Sequence, residues 1–371
     1  MSYLAPQLNA LRESDAIVMD CDGTLVEISN SYDEAIYTTV ELIFQSLTGR
    51  RPQRTWLTQA TFDLRKSGGF NNDWDTVYAI VVGLLSGTPD EWLERVTENL
   101  EKVADKPLSL RSLLCARSEL RDYDESEVEN GLKDVVSYAD AAGSASIDEG
   151  LEKLYRGKEK LELLKRVRAT LRYPGVPGEC LISGVFDELY LGSALYQGTY
   201  KLRPALCVSR GFIENESLIV RRDTLNYMKR RFPHGLGIAT GRTRPAAEKS
   251  IGPVLREFFA DSRALTFSDD LVEEYERRKA NGMNVWPGKP DPYCLQRAIR
   301  GLDAFKRVIF VGDSMEDLKM CSSMQGFNDD LFFVGVYKHT INPLETRRTF
   351  MEQGAIAVLP TINELKELLG D

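Results

Sequence analysis

Ala16-Ile17-Val18-Met19-Asp20-Cys21-Asp22-Gly23-Thr24-Leu25 is the stretch on which the reading of the whole chain turns. Its apolar start has the character of a strand buried on both faces of a parallel sheet, and it ends in two carboxylates flanking one residue. Successive strand residues face opposite ways, so Asp20 and Asp22 are expected on one side as the chain leaves the sheet. Gly23 then permits a turn that few other residues can take. Ligands of open α/β sheets bind beyond the carboxyl ends of the strands, where this pair falls. Two carboxylates that close repel unless one is protonated or a cation joins them. The pair therefore suggests a hard divalent metal, Mg²⁺ first, with one carboxylate free to attack and the other to handle a proton. Alone, Asp-x-Asp reads more simply as a solvated acidic turn, and the rest of the chain must decide.

At 371 residues the chain is long for one compact unit, so two domains are expected. A hydrophobic content of 43% beside 28% charged residues is ordinary for a globular protein. The net charge of −9 speaks against broad binding of nucleic acid or anionic membranes. The amino terminus lacks a basic start followed by an apolar core, so no secretion signal is expected. Tyr78 to Leu85 is the longest apolar run and is too short to span a bilayer. Six scattered cysteines form no Cys-x-x-Cys pair, which suits free thiols in a reducing cytoplasm. Cys21 should point away from the two carboxylates and serve packing. His234 and His339, the only histidines, sit in no metal or nucleophile-base pattern.

From Tyr32 to about Lys201 the pattern is mostly helical. Trp56 to Lys66 reads as a helix that stops at Gly68-Gly69, and Phe70 to Asp75 as a polar and aromatic loop. Further helices are expected over Thr76–Leu85 and Asp90–Val103. The charge-rich stretch from about Lys106 to Arg168 reads as solvated helices, with a flexible break at Tyr138–Ser146. From Ser217 strands alternate with helices, the pattern of a parallel sheet. Ser217–Arg231 reads as helix, Gly235–Gly241 as strand, Ala246–Phe259 as helix and Ala264–Phe267 as strand. A helix near Pro292–Gly301 precedes the strand Arg307–Asp313, and strands near Leu331–Val336 and Ala355–Leu359 precede a last helix from Asn363. The first strand thus belongs with the second half of the chain: residues 1–31 and 216–371 form an α/β core, and 32–215 are inserted into it.

Three further signals stand at strand ends or in the loops of that core. Ala239-Thr240-Gly241-Arg242 offers a hydroxyl and backbone N–H groups to an anion. Trp286-Pro287-Gly288-Lys289-Pro290-Asp291-Pro292 holds a lysine rigidly ahead of a helix. Val311-Gly312-Asp313-Ser314-Met315-Glu316-Asp317 closes another apolar strand with two carboxylates four residues apart, although Asp317 also suits an early-helix acid that stabilises the dipole.

In this order the four signals resemble the haloacid dehalogenase-like superfamily. Asp20-Cys21-Asp22-Gly23-Thr24 is similar to its first motif, Thr240-Gly241-Arg242 to its second, Lys289 to its third and Gly312-Asp313-Ser314-x-x-Asp317 to its fourth. An insertion just after the first strand is similar to the helical cap of the phosphoglycolate phosphatase-like subfamily, although the charge-rich region near 106–168 has no counterpart there. The resemblance implies a Rossmann-like core with a helical cap, and a Mg²⁺-dependent phosphatase acting on a small phosphomonoester. It implies Asp20 as nucleophile, Asp22 as acid and base, and Thr240, Gly241 and Lys289 around the phosphate. It further implies metal held by Asp20, the Asp22 carbonyl and Asp313, with Asp317 orienting a metal-bound water. A phosphomutase or other phosphotransferase on the same core is the nearest alternative, and a non-catalytic binding protein the alternative from another class. The leaving group, a small phosphorylated acid or sugar, would be read from Arg65, Lys66, Asn71 and Asn72 of the insertion. A monomer or dimer in the cytoplasm, with a small phosphorylated metabolite as its partner, completes the expectation.

Overall fold

The computed structural model describes residues 3–4, 8–70, 72–102, 109–120, 124–260, 262–283, 285–324 and 330–370. Asn71 and part of the charge-rich stretch, both singled out above, lie outside the described residues. The chain divides into two compact units, Met1–Asn30 with Asn215–Asp371, and Ser31–Glu214.

The strands of the first unit are β1 (Tyr3–Leu4), β2 (Ala16–Met19), β3 (Val26–Glu27), β4 (Ser217–Leu218), β5 (Leu236–Ala239), β6 (Leu265–Thr266), β7 (Val308–Gly312), β8 (Leu331–Val336) and β9 (Ala357–Leu359). Their main sheet runs β1-β9-β8-β7-β2-β5-β6, parallel throughout except for β1, which pairs antiparallel with β9. The α/β class expected from the alternation of strands and helices holds. The strand read first, β2, lies between β5 and β7, with Met19 opposite both Ile238 and Val311.

Burial follows the period of two. Ile17, Met19, Cys21, Ile238, Ile309 and Val311 join one core layer, while Ala16, Val18, Val308 and Phe310 join the layer on the other face. Cys21 therefore packs into the core, in the same layer as Ile17 and Met19. Phe310, Phe333 and Phe350 form an aromatic row with centroids 6.0 and 5.5 Å apart. Truncating Phe310 to alanine would cost about 3–5 kcal/mol by loss of burial and cavity formation.

The expected helix over Ser217–Arg231 is corrected. Ser217–Leu218 pairs antiparallel with β3, and the helix occupies only Arg222–Arg231. A two-residue strand beside a polar helix leaves no period of its own in the sequence.

The second unit is helical. The helix Asp73–Ser86 is buried at every position from Thr76 onward, so it forms the unit's centre. Glu125–Val136 packs against it, burying Val128, Gly131, Leu132 and Val135. A Cβ on Gly131 would lie 2.5 Å from the Gly87 nitrogen, so the close approach requires a glycine there. The charge-rich stretch is therefore not simply solvated: this helix carries an apolar face at i, i+3, i+4 and i+7 beneath its charges. Nor is 138–146 a loose break. Ser146 Oγ accepts from the Asp140 N–H at 3.2 Å, and Asp140 Oδ1 accepts from the Ala142 N–H at 2.8 Å, which fixes a turn before the helix Ser144–Tyr155. Among the described residues no helix is long and apolar enough to cross a membrane.

Candidate active site

The carboxyl ends of β2, β5 and β7 adjoin, so the residues that follow them, Asp20, Thr240 and Asp313, are delivered to one edge of the sheet. The Asp20 N–H extends the ladder by donating to the Val311 carbonyl at 2.8 Å. The chain then closes a tight loop, in which the Gly23, Leu25 and Val26 N–H groups donate to the Val26, Cys21 and Cys21 carbonyls at 2.8, 2.8 and 3.0 Å. Gly23 adopts φ +63°, and a Cβ there would overlap the Asp313 carboxylate. Its glycine thus serves both the turn and the approach of the two strand ends.

Asp20, Asp313 and Asp317 present carboxylate oxygens that all lie within 4.8 Å of one another. Lys289 stands among them, its Nζ 2.6 Å from Asp20 Oδ1 and 2.6 Å from Asp317 Oδ1. Asp317 is also the acid of a capping box at the start of the helix Met315–Ser322. Its Oδ2 accepts from the Ser314 N–H at 3.1 Å and the Ser314 hydroxyl at 2.7 Å, while Ser314 Oγ accepts the Asp317 N–H. The dipole role and the site role thus divide between its two oxygens.

The electrostatics are unbalanced. Burial pushes the Asp20 carboxyl up to about 7, against the pull of Lys289, and the Asp317 and Asp22 charges add to the rise. Burial, then Asp20 and Asp317, likewise holds Asp313 well above the usual carboxylate range. Burial works against the Lys289 charge, but Asp20 and Asp317 outweigh it and keep the ammonium firmly protonated. One lysine faces three carboxylates, all hard oxygen donors, and such a set fits a hard divalent cation. Burial also pushes the Cys21 thiol well up, which suits a packing residue and not a nucleophile.

Asp22 leaves this cluster. Its carboxylate accepts from Arg242, whose Nε lies 2.8 Å from Asp22 Oδ1. The sequence places Arg242 in the Thr-Gly-Arg turn, where nothing local to the turn points to this pairing. Thr240 is buried, its N–H donating to the Thr266 carbonyl at 3.0 Å and its Oγ1 accepting from the Arg242 N–H at 3.2 Å; Gly241 is exposed on the turn.

The remaining expected residues belong to the second unit. Arg65 is not a cation held open for an anionic leaving group: its Nη1 lies 2.7 Å from Asp33 and its Nη2 3.2 Å from Asp73. Asn72 is the N-cap of Asp73–Ser86, accepting from the Trp74 N–H at 2.9 Å. Phe70 is fully buried, and the Trp74 indole donates to Asp187 at 3.1 Å. Lys66 is exposed, with its ammonium 5.9 Å from the Phe62 ring centroid.

Residues 217–324 match the haloacid dehalogenase-like hydrolase family. That span contains Thr240, Lys289, Asp313 and Asp317, and the sheet sets Asp20 beside them although β2 lies outside it. The unit that carries the site is thus a haloacid dehalogenase-like hydrolase domain. The X-ray structure of a Northeast Structural Genomics Consortium target is similar over 96% of this chain and 98% of its own, with a TM-score of 0.64 and 19% identity, a likeness of fold. The phosphatase Tt82 from Thermococcus thioreducens aligns over 91% of this chain and 100% of its own, at a TM-score of 0.47 and 21% identity. No curated protein matches the chain.

Proposed function

We propose that the protein is a Mg²⁺-dependent phosphatase of small phosphomonoesters that works through an aspartyl-phosphate. The observation that carries this reading is the convergence of Asp20, Asp313 and Asp317 around a single lysine at neighbouring strand ends. Asp20, Asp313 and the Asp22 main-chain carbonyl would hold the metal, with Asp317 beside them. When bound, Mg²⁺ would supply positive charge for the oxygens of the transferred group.

The chain's own residues account for the rest. An Asp20 carboxylate oxygen attacks phosphorus as the bond to the leaving oxygen breaks, and Asp22 gives that oxygen its proton. Asp22 then takes a proton from the water that hydrolyses the acyl phosphate, which frees phosphate and restores Asp20. Lys289 keeps Asp20 in place before attack, and with Thr240 and the Gly241 backbone it neutralises charge on the equatorial oxygens. The unit Ser31–Glu214 serves as the cap that reads the leaving group, a small phosphorylated acid or sugar. In that reading Arg65 braces the cap and Asn72 caps one of its helices. Lys66, exposed and beside the Phe62 ring, would contact an anionic leaving group.

A screen of small phosphomonoesters with Mg²⁺ and with chelator tests the proposal. Phosphate release with Mg²⁺ that ceases on chelation is the expected result. Release untouched by exhaustive chelation would remove the metal, and no release from any phosphomonoester would remove the phosphatase.

A further inference from the structure

Asp22 is the one carboxylate of the first motif that does not face Lys289, and its partner is unusually well braced. Arg242 is 1% exposed. Its Nε and Nη2 both donate to Asp22 Oδ1, the former at 2.8 Å. Its far edge is held by Glu216, with Nη1 to Oε2 at 2.7 Å and Nη2 to Oε1 at 3.1 Å. Nη1 also donates to Ser250 Oγ at 2.7 Å, and the Ser250 hydroxyl donates in turn to Glu216. The guanidinium fork is thus fixed from behind by a buried carboxylate and a hydroxyl.

Exposure runs along this chain of contacts in one direction. The Glu216 and Arg242 side chains are 2% and 0% exposed, whereas that of Asp22 is 23% exposed. The back of the network is sealed and its front opens at the Asp22 carboxylate. The backbone ties the same parts together: Glu216 immediately precedes β4, β4 pairs with β3, and Asp22 forms a backbone bridge to Val26. Ser250 comes from the helix Arg244–Phe258. Three separate elements therefore converge to set one side chain.

We propose that Arg242, braced by Glu216 and Ser250, is a positioning residue that fixes Asp22 by Oδ1 and leaves Oδ2 to carry the proton exchanged with the leaving oxygen. The proposal rests on the acid role given to Asp22 above. A brace of this kind is needed because proton transfer demands hydrogen-bond reach to the leaving oxygen, and a free aspartate on a loop samples several rotamers. A salt bridge that merely supported the fold would change all reactions alike.

Leaving-group dependence separates the two. An alkyl leaving oxygen needs a proton as it departs, whereas p-nitrophenolate does not. The measurement is kcat/KM, which reports the steps through leaving-group departure, for p-nitrophenyl phosphate and for the fastest alkyl phosphate from the substrate screen. Asp22→Asn should lower the alkyl value by about a hundredfold or more and the aryl value by less than about tenfold. Arg242→Lys, which keeps the charge but loses the fork, should reproduce that selective loss; Glu216→Gln should show it in weaker form and Ser250→Ala weakest. Equal losses on both substrates in Arg242→Lys and Glu216→Gln, beside a selective loss in Asp22→Asn, would overturn the positioning role and leave the acid role standing. Equal losses in Asp22→Asn itself would overturn the acid role and the proposal with it. Should Arg242→Lys fail to fold by circular dichroism, Glu216→Gln and Ser250→Ala decide on the same criterion.

Discussion

Each unit of this protein holds a cation between two aspartates, and the two arrangements differ in what surrounds them. Lys289 lies 2.6 Å from both Asp20 and Asp317; Arg65 lies 2.7 Å from Asp33 and 3.2 Å from Asp73. Asp33 and Asp73 both occupy first turns of helices, where the macrodipole already favours negative charge. Asp317 likewise lies in the first turn of a helix, but Asp20 and Asp313 follow strands, whose dipoles alternate and offer little. A third carboxylate, that of Asp313, joins the group around Lys289. The same pairing is therefore a brace in one place, and in the other a site that still demands positive charge. Excess charge, more than the presence of an ion pair, marks the functional position.

The comparison breaks first at its two cations. Lys289→Ala should reduce turnover about a thousandfold, because it removes charge stabilisation from the transferred group and from Asp20. It should also raise the Mg²⁺ concentration dependence of stability, since three carboxylates then lack their lysine. Arg65→Ala should act the other way round. It leaves two carboxylates without their cation, so it should lower stability by about 2 kcal/mol in urea unfolding, allowing for partial exposure. Turnover of the remaining folded protein should change little. A large loss of turnover at full folding in Arg65→Ala would place that residue in the site after all.

A second contrast within the inserted unit is sharpened by pH. Asp187 is buried and is pushed up to about 7, chiefly by desolvation, although the Tyr200 hydroxyl at 2.6 Å and the Trp74 indole both donate to it. The ordinary aspartate value is about 3.9, so the folded state holds this proton more tightly than the unfolded one. Its stabilising contribution is complete below about pH 4 and is lost as pH rises through about 7, an effect on the order of 4 kcal/mol. Asp187→Asn should flatten stability between pH 4 and 8, as read by thermal or urea unfolding. An unchanged pH profile in that variant would mean that Asp187 is ionised in the fold.

Asn72→Ala gives the smallest expected effect, about 1 kcal/mol of stability from the lost cap of Asp73–Ser86. Substrate ranking should not move. A reordering of natural substrates at unchanged stability would return Asn72 to the specificity role that its sequence position suggested.

These cases also explain what the sequence made legible. Asp20, Thr240 and Asp313 could be read because each ends an apolar run, and a parallel sheet collects such ends on one edge. Lys289 could be read because prolines frame it. Arg242 stood in plain view, but its task depends on Glu216, 26 positions earlier, and on Ser250, eight later. No single strand or helix spans either pair, so no period links them. Arg65 was readable as a cation, while the partners that consume its charge lie 32 positions upstream and eight downstream. The helix Glu125–Val136 is hard to read as a packing element because its acidic surface outweighs five buried small or apolar positions. Local pattern gave strands and their ends, and long-range pairing decided which charges were spoken for.

The most direct measurement follows the phosphoryl group itself. Protein mixed with a ³²P-labelled phosphomonoester and Mg²⁺, quenched in acid within one turnover and digested, should yield label on the peptide that contains Asp20. Asp20→Asn should form none and should lose turnover by about four orders of magnitude or more while retaining its fold. Undiminished turnover in Asp20→Asn, or label on a peptide without Asp20, would contradict the account.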